Sequence, residues 1–232
     1  MKTLLIFFAL VASCLGQHPR FSIERYKPDA SLIQAVTFAQ GTPLDVMGNF
    51  PLSAEVTTAT ITDRVYESSA TGYLSFNPFQ SGAPSMENGD DISITSWCTR
   101  LSTAGASGPY NVYKSGGADR GFVFFASSTY FYLFNTGNTG YFAVSISEDA
   151  LIFICITCSS SDDTARVYVN GVQVGSQVQG AGRVLRYHAS ELGYIGRGHN
   201  YTGACEVDEA RYYTKTLSAA EISRMYQEGP HR

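Results

Sequence analysis

The sequence is poor in charge and in the motifs of common active sites. Asp, Glu, Lys and Arg make up 16% of the 232 residues, and the formal net charge is -4. Neither a basic nucleic-acid surface nor an acidic low-complexity tail is therefore indicated. The four histidines are scattered, and neither HExxH nor GxSxG occurs. These absences argue against a zinc-protease helix and a hydrolase nucleophile elbow.

The sequence also lacks an apolar run long enough to cross a bilayer. The apolar stretch 3–12 falls short of the roughly 20 residues that a transmembrane helix needs. Lys2 precedes it and small residues follow it, which is the layout of a secretory signal peptide. We predict that residues 1–16 are removed and that the protein is secreted and extracellular, beginning at Gln17. Alternatively, the tetrapeptide Val-Ala-Ser-Cys is a bacterial lipobox, and the chain is a lipoprotein anchored at Cys14.

Cysteine is scarce, and after removal of the leader the count is even. An even number in an exported chain predicts two disulfide bonds, and the sequence does not rank the three connectivities. Buried free thiols and a metal site are the alternatives. The CxxC lies in an apolar run typical of a core strand, which argues against a metal knuckle or a redox turn. The four cysteines are Cys98, Cys155, Cys158 and Cys205.

What is abundant favours strands and turns. The chain has 22 glycines and 13% aromatic residues, and β-branched or aromatic segments alternate with Gly, Ser, Asn and Asp clusters. No helix of ordinary length separates them, which excludes a parallel βαβ architecture. The predicted strands are 59–65, 72–76, 92–100, 110–114, 121–125, 129–134 and 140–146, with a further core strand from 151.

The amino-terminal part of the mature chain gives the weakest pattern. Prolines interrupt residues 17–60, and we predict irregular segments and one strand there, at the edge of a sandwich. Residues 61–229 are predicted to form the main domain. A single all-β sandwich is commonly of this size.

One hairpin has a specific signature. Asn170 and Gly171 tolerate the positive φ angles of a two-residue type I′ turn, and alternating side chains flank them on both sides. The pair predicts two antiparallel strands within residues 165–174.

One short helix is predicted at the carboxyl end. Ser218 and Glu221 are spaced as a capping box, and Leu217 and Ile222 as a hydrophobic staple. The dipeptide 229–230, Gly-Pro, predicts where the helix stops. We interpret this helix as a structural element that closes the sandwich.

Five segments together resemble the laminin-G-like domains of the concanavalin A-like lectin/glucanase group, and pentraxins are more distantly similar. This resemblance implies an all-β, antiparallel, two-sheet jelly-roll sandwich with a short C-terminal helix. The group includes lectins, adhesion modules, matrix proteins and glycosidases, so the fold does not choose the function. The five segments are 166–171, 192–197, 201–203, 207–213 and 217–222.

The carboxylates do not form the pattern that a glucanase of this fold needs. Such an enzyme requires acids two residues apart on one strand, so that all face the same side. Glu206 and Asp208 fit the first two places, but Ala210 occupies the third and Glu209 is expected on the opposite face. We therefore predict no catalytic residue and no enzyme activity, and we interpret Asp208 as a structural acid.

Calcium is the cofactor that acidic residues could serve here, since the ion takes six to eight oxygen ligands. Asp90, Asp91 and Asp208 are the candidate ligands, although no Ca²⁺-loop motif surrounds them. Paired aspartates in turns are more often solvated turn formers.

Two further features belong to an extracellular surface. Asn200 begins the chain's one glycosylation sequon, so the protein is expected to be a glycoprotein if its source is eukaryotic. Tyr194 and Tyr201 lie near predicted loops, where exposed aromatic rings stack on sugars.

The sequence thus favours a secreted, non-catalytic binding module for a glycan or another extracellular polymer. The alternative is a structural protein of an extracellular or biomineral matrix, and a glycosidase of the concanavalin-like fold is third. No nucleic acid and no transmembrane segment are expected.

Overall fold

The structure is a computed structural model that describes fourteen segments of the chain. The predicted signal peptide, with Cys14, lies outside them. The described residues are 29–38, 43–50, 52–54, 60–62, 65–67, 73–77, 91–100, 109–112, 122–126, 130–134, 144–145, 150–178, 193–196 and 205–230.

The described segments contain sixteen strands and one helix. In chain order they are β1 (Leu32–Thr37), β2 (Leu44–Asp45), β3 (Leu52–Ala54), β4 (Thr60–Thr62), β5 (Val65–Glu67), β6 (Leu74–Phe76), β7 (Ile92–Arg100), β8 (Asn111–Val112), β9 (Phe122–Ala126), β10 (Tyr130–Phe134), β11 (Val144–Ser145), β12 (Leu151–Ser159), β13 (Thr164–Val169), β14 (Val172–Val178), β15 (Gly193–Ile195), β16 (Cys205–Tyr213) and α1 (Ala219–Glu228).

The strands form two antiparallel sheets, which confirms the predicted sandwich. The large sheet runs β14-β13-β12-β7-β16-β1-β2, with β5 also pairing with β16 and β4 with β5. The small sheet runs β11-β10-β9-β8-β15-β6-β3. Neighbours in both sheets are often far apart in sequence, as a jelly roll requires.

The centre of the large sheet is apolar on both faces. In β12, Ile152, Ile154 and Ile156 point to the core between the sheets, whereas Phe153 and Cys155 point to the outer face. Side chains alternate along a strand, so one continuous apolar run supplies two cores. Each fully buried large side chain of this kind contributes about 1.5–3 kcal/mol.

The second core lies outside the large sheet, under α1. Trp97 stacks on Tyr226 of the helix with ring centroids 5.7 Å apart, and Phe153 lies 5.2 Å from the Trp97 ring. Ile222 and Met225 are buried in the same cluster. The helix therefore covers an apolar outer face that would otherwise meet solvent.

The predicted hairpin and helix cap are both present. Asn170 and Gly171 have φ angles of 51° and 78°, as a type I′ turn requires. Ser218 and Glu221 make both hydrogen bonds of the capping box. The turn also contacts the helix, because a Cβ on Gly171 would lie 3.2 Å from the Tyr226 ring.

The amino-terminal segment is more regular than predicted. It supplies three strands, of which β2 and β3 are edge strands and β1 lies inside the large sheet, between β16 and β2. All six residues of β1 are buried, so the strand lacks the apolar-polar alternation of a half-exposed strand. Its polar Gln34 accepts a hydrogen bond from the Tyr110 hydroxyl at 2.5 Å.

A second difference concerns residues 59–65, predicted as one strand. The structure instead has two short strands, β4 and β5, paired as a hairpin through Thr62 and Val65. The intervening 63–64 begins with Asp, a turn-forming residue whose signal was outweighed by its β-branched neighbours.

Candidate functional site

A pair of tyrosines marks the outer face of the small sheet. Tyr73 precedes β6, and Tyr194 is the middle residue of the adjacent β15. Their rings meet edge to face, with centroids 5.5 Å apart and an interplanar angle of 78°. Both side chains are half-buried. Part of each aromatic surface is therefore held in place while another part meets solvent.

Strand alternation explains why both rings face outward. Gly193 and Ile195, on either side of Tyr194, are buried, as are Leu74 and Phe76 in β6. These neighbours belong to the face that packs against the large sheet, so Tyr194 points away from it. The intermediate position in β6 is Ser75, which pairs with Tyr194 in the β6–β15 register.

Polar residues continue the same outer face. Ser53 of β3 pairs with Ser75 of β6 and is exposed. Asn77 follows β6 by one residue and is also exposed. We call Tyr73, Tyr194, Ser53 and Asn77 the tyrosine face. Aromatic rings beside hydroxyl and amide groups can stack on an apolar sugar face and hydrogen-bond its hydroxyls.

Close packing beneath β15 fixes the position of Tyr194. A Cβ atom on Gly193 would lie 2.1–2.6 Å from the Phe76 ring atoms, so only glycine fits without displacement. The Phe76 ring in turn lies 5.5 Å from the Tyr110 ring inside the core. The backbone that carries Tyr194 is therefore set on a rigid aromatic layer.

Of the residues predicted to bind a ligand, Tyr194 lies on this face, whereas Tyr201 lies outside the described residues, as does Asn200. Tyr73 was missed as a binding residue, although it lies within the predicted strand 72–76, at the position that alternates with Leu74. Ser53 was missed because its strand was not recognised.

The two predicted metal ligands that the structure describes, Asp91 and Asp208, are not brought together. Asp91 accepts hydrogen bonds from the backbone N–H and the hydroxyl of Ser160 at 2.8 and 3.2 Å, and Asp208 is buried in β16. Asp90 lies outside the described residues. Within the described segments, no group of three His, Cys, Asp or Glu residues could hold a metal ion.

A β-bulge changes the expected directions of the acids in β16. Val207 pairs with Cys98 and Glu209 with Trp97, which leaves Asp208 as the extra residue. The side chains of Asp208 and Glu209 therefore do not simply point to opposite faces of the sheet. The regular alternation of faces assumed from the sequence was wrong at this bulge. Glu209 and Asp208 are both buried, and Glu209 pairs with Arg211. Such acids do not flank an open cleft.

A small cavity lies beside this ion pair, under α1. Its volume is about 10 Å³, which is room for about one water molecule. The Arg211 guanidinium is also 3.5 Å from the Tyr213 hydroxyl. The cavity is lined by Thr95, Ser96, Trp97, Phe153, Glu209, Arg211 and Met225. Since most of these residues are buried, we interpret the region as part of the outer core.

The prediction of two disulfides does not fit the structure. No disulfide joins the four cysteines, all of which are buried. Cys155 lies on the outer face of the large sheet, while Cys98, Cys158 and Cys205 face the core between the sheets. A sheet separates Cys155 from the other three, so two bridges are excluded by this arrangement.

Burial also lowers the reactivity of three of these thiols in the folded protein. It raises the pKa of Cys98 and Cys155 well above the usual range and that of Cys158 to about 12. Because the thiolate is the reactive form, the sulfur atoms of these three cysteines are poor nucleophiles in the folded protein.

Solved structures share this fold. The binding domain of Paraclostridial Mosquitocidal Protein 1 is similar with a TM-score of 0.70 and 13% identity, over 86% of this chain and 52% of that one. The binding domain of Botulinum Neurotoxin DC in complex with SialylT is similar with a TM-score of 0.67 and 12% identity, over 85% of this chain and 51% of that one. The same domain in complex with rat synaptotagmin II has a TM-score of 0.67 and 11% identity, over 86% of this chain and 52% of that one.

The chain thus spans about half the length of the solved chains it matches. The comparison with curated proteins found no match. Among the described helices, none is long and apolar enough to cross a membrane.

A family comparison agrees with the two sheets, the hairpin and the closing helix. The matching family is a laminin-G-type family described as the concanavalin A-like lectin/glucanases superfamily, and the match covers residues 68–223, more than half of the chain. The chain belongs to this concanavalin A-like lectin/glucanases family.

Proposed function

We propose that this protein is a secreted, non-catalytic binding module that recognises a glycan or another extracellular polymer through the tyrosine face. The observation that carries the proposal is the edge-to-face pair of Tyr73 and Tyr194, which lie half-buried on the outer face of the small sheet. Sites built on strands hold their side chains more rigidly than loop sites. Little ordering of the protein is then needed when a ligand binds.

The chemistry of the face favours sugars over charged ligands. Tyr73, Tyr194, Ser53 and Asn77 are uncharged, so they match hydroxyl-rich ligands with apolar C–H faces. A neighbour of the same fold, the Botulinum Neurotoxin DC binding domain, is seen both with SialylT and with a protein, synaptotagmin II, so the fold accommodates more than one kind of partner. At 11–12% identity those ligands are not transferred to this chain.

The acids of β16 support a non-catalytic role. Hydrolysis requires two carboxyl groups about 5–10 Å apart across the bond to be cleaved. Asp208 and Glu209 are almost fully buried, and Glu209 is held by Arg211. A Glu206→Gln variant tests the remaining acid: loss of polysaccharide cleavage in this variant alone would establish a glycosidase instead.

The experiment is a glycan array probed with the secreted protein, in calcium and in chelator. We expect saturable binding to a subset of glycans in both conditions, because the tyrosine face contains no carboxylate. Loss of binding in chelator would indicate a calcium-dependent site in acidic loops, and not the tyrosine face. Absence of glycan binding, together with retention in an insoluble matrix, would support the structural matrix role.

Secretion is tested with the same material. The full chain expressed in a eukaryotic host is expected in the medium, beginning at Gln17 and carrying a glycan on Asn200. A product retained in the cell with residues 1–16 attached would contradict this. A lipid on Cys14 in a bacterial host would establish the lipoprotein alternative.

A further inference from the structure

Two of the four cysteines lie on neighbouring strands and on the same face. In the register of β7 and β16, Val207 pairs with Cys98 and Cys205 pairs with Arg100. Cys205 is therefore the diagonal neighbour of Cys98. Both side chains are at most 3% exposed and belong to the core between the sheets. The two thiols are close enough that Cys205 contributes electrostatically to the raised pKa of Cys98.

The register excludes the other pairings. Cys158 pairs with Ile92 of β7, six residues from Cys98, a separation of about 20 Å along a strand. Cys155 lies on the opposite face of the sheet, among Trp97 and Phe153. Neither can reach a second cysteine while the sheet is intact.

We propose that Cys98 and Cys205 form the single disulfide of the oxidised protein, and that Cys155 and Cys158 remain thiols. The bridge would link β7 to β16, which are adjacent strands in the middle of the large sheet. This inference concerns the scaffold, so it does not depend on which ligand the tyrosine face binds.

The bond requires a small shift and an oxidant. Diagonal neighbours in a sheet have Cα atoms about 7–8 Å apart, whereas a disulfide needs roughly 4.4–6.8 Å. Cys205 is the first residue of β16, and the ends of elements open more readily than their centres. Two thiols lose two protons and two electrons, and glutathione disulfide accepts both and becomes two glutathione thiols.

The timing of the reaction follows from burial. A thiolate must attack a disulfide, and the interior of the folded protein suppresses that form. The bond should therefore form during folding and not in the folded, reduced protein. Once formed it closes a loop of about 100 residues, a length for which the entropic effect on the unfolded chain is large.

Tryptic peptides distinguish a Cys98–Cys205 bond from a bond through Cys155 or Cys158 and from the absence of any disulfide. Cys98 falls in peptide 65–100, Cys155 and Cys158 fall together in 121–166, and Cys205 falls in 198–211. The full chain is unfolded, reduced and refolded with a glutathione redox pair, then denatured, alkylated and digested without reductant. We expect peptides 65–100 and 198–211 to be linked, and peptide 121–166 to carry two alkyl groups.

Variants distinguish the bond from a folding effect. Cys98→Ser and Cys205→Ser should each abolish the link, while Cys155→Ser, a buried cysteine of the same sheet, should retain it. The urea midpoint of the oxidised protein should fall when reductant is added, and that of the Cys98→Ser/Cys205→Ser double variant should not change. Alkylation of all four cysteines, or a link from peptide 121–166 to another peptide, would overturn the proposal.

Discussion

At the scale of single residues, the protein depends on positions where the surroundings allow one side chain. Gly193 has no space for a Cβ beside Phe76, and Arg211 neutralises Glu209 where both are almost fully buried. The first position orients the tyrosine face, and the second stabilises the outer core under α1.

Replacing Gly193 with Ala should displace the strand that carries Tyr194. The added methyl would overlap the Phe76 ring, and overpacking of this kind destabilises by about 1–3 kcal/mol. Urea unfolding measures the loss. The Gly193→Ala/Phe76→Leu double variant provides the control, because the smaller side chain opens space; a double variant no more stable than Gly193→Ala would contradict the steric explanation.

Removing one member of the buried ion pair should lower the free energy of unfolding more than removing both. Arg211→Met leaves the Glu209 carboxylate buried without its cation, which typically destabilises by about 3–5 kcal/mol. The Glu209→Gln/Arg211→Met double variant should regain part of that loss. Chemical denaturation of both single variants and the double variant gives the coupling energy, and strictly additive effects would show that the pair is not coupled.

At the scale of elements, α1 is attached to the sandwich by packing and by charge. Lys215 pairs with Asp29, just before β1, and with Glu221 in the first turn of α1 at 2.7 Å. Glu221 also accepts the Ser218 backbone N–H at 2.7 Å. One cluster thus joins the residues before β1 to the start of α1.

This cluster predicts a stability change in acid. The hydrogen bond from Lys215 is the largest cause that lowers the pKa of Glu221 from 4.5 to about 2. Because the folded-state value is depressed, the stabilisation is present above pH of about 4.5 and is lost as the pH falls toward 2.

The measurement is urea unfolding from pH 6 down to the acid limit, for the wild type and Glu221→Gln. At neutral pH the variant should be less stable by about 1 kcal/mol, the usual effect of losing a cap interaction, and the difference should shrink in acid. The exposed Glu228→Gln of the same helix is the matched control. An equal difference at all pH values would exclude the ionised carboxylate as the cause.

Sequence reasoning succeeded for elements whose signal is local. The Asn170–Gly171 turn and the Ser218–Glu221 box each depend on residues within a few positions of one another, and both are present. It failed where tertiary burial hides the pattern: β1 is covered on both faces, and the bulge at Asp208 shifts the alternation of β16. Neither effect has a signature in the surrounding residues.

At the scale of the whole molecule, the proposed binding face depends on residues that only the fold brings together. Tyr73 and Tyr194 are more than one hundred residues apart in sequence, but their rings meet on the outer face of the small sheet, where β6 pairs with β15. Composition, motifs and the family resemblance predicted a sandwich of the correct class, and sequence reasoning named one of these two tyrosines as a candidate. The second required the β6–β15 register, which no pattern in the sequence specifies.

The most direct test of the account is the affinity of the best array glycan for a Tyr194 series. Tyr194→Phe keeps the ring and should bind within about twofold of the wild type, whereas Tyr194→Ser should bind at least about tenfold more weakly, a change of about 1.4 kcal/mol. Gln173→Ser, an exposed residue of the large sheet, is the control and should match the wild type. Equal affinity for all four proteins, each shown to be folded, would contradict the assignment of the tyrosine face as the binding site.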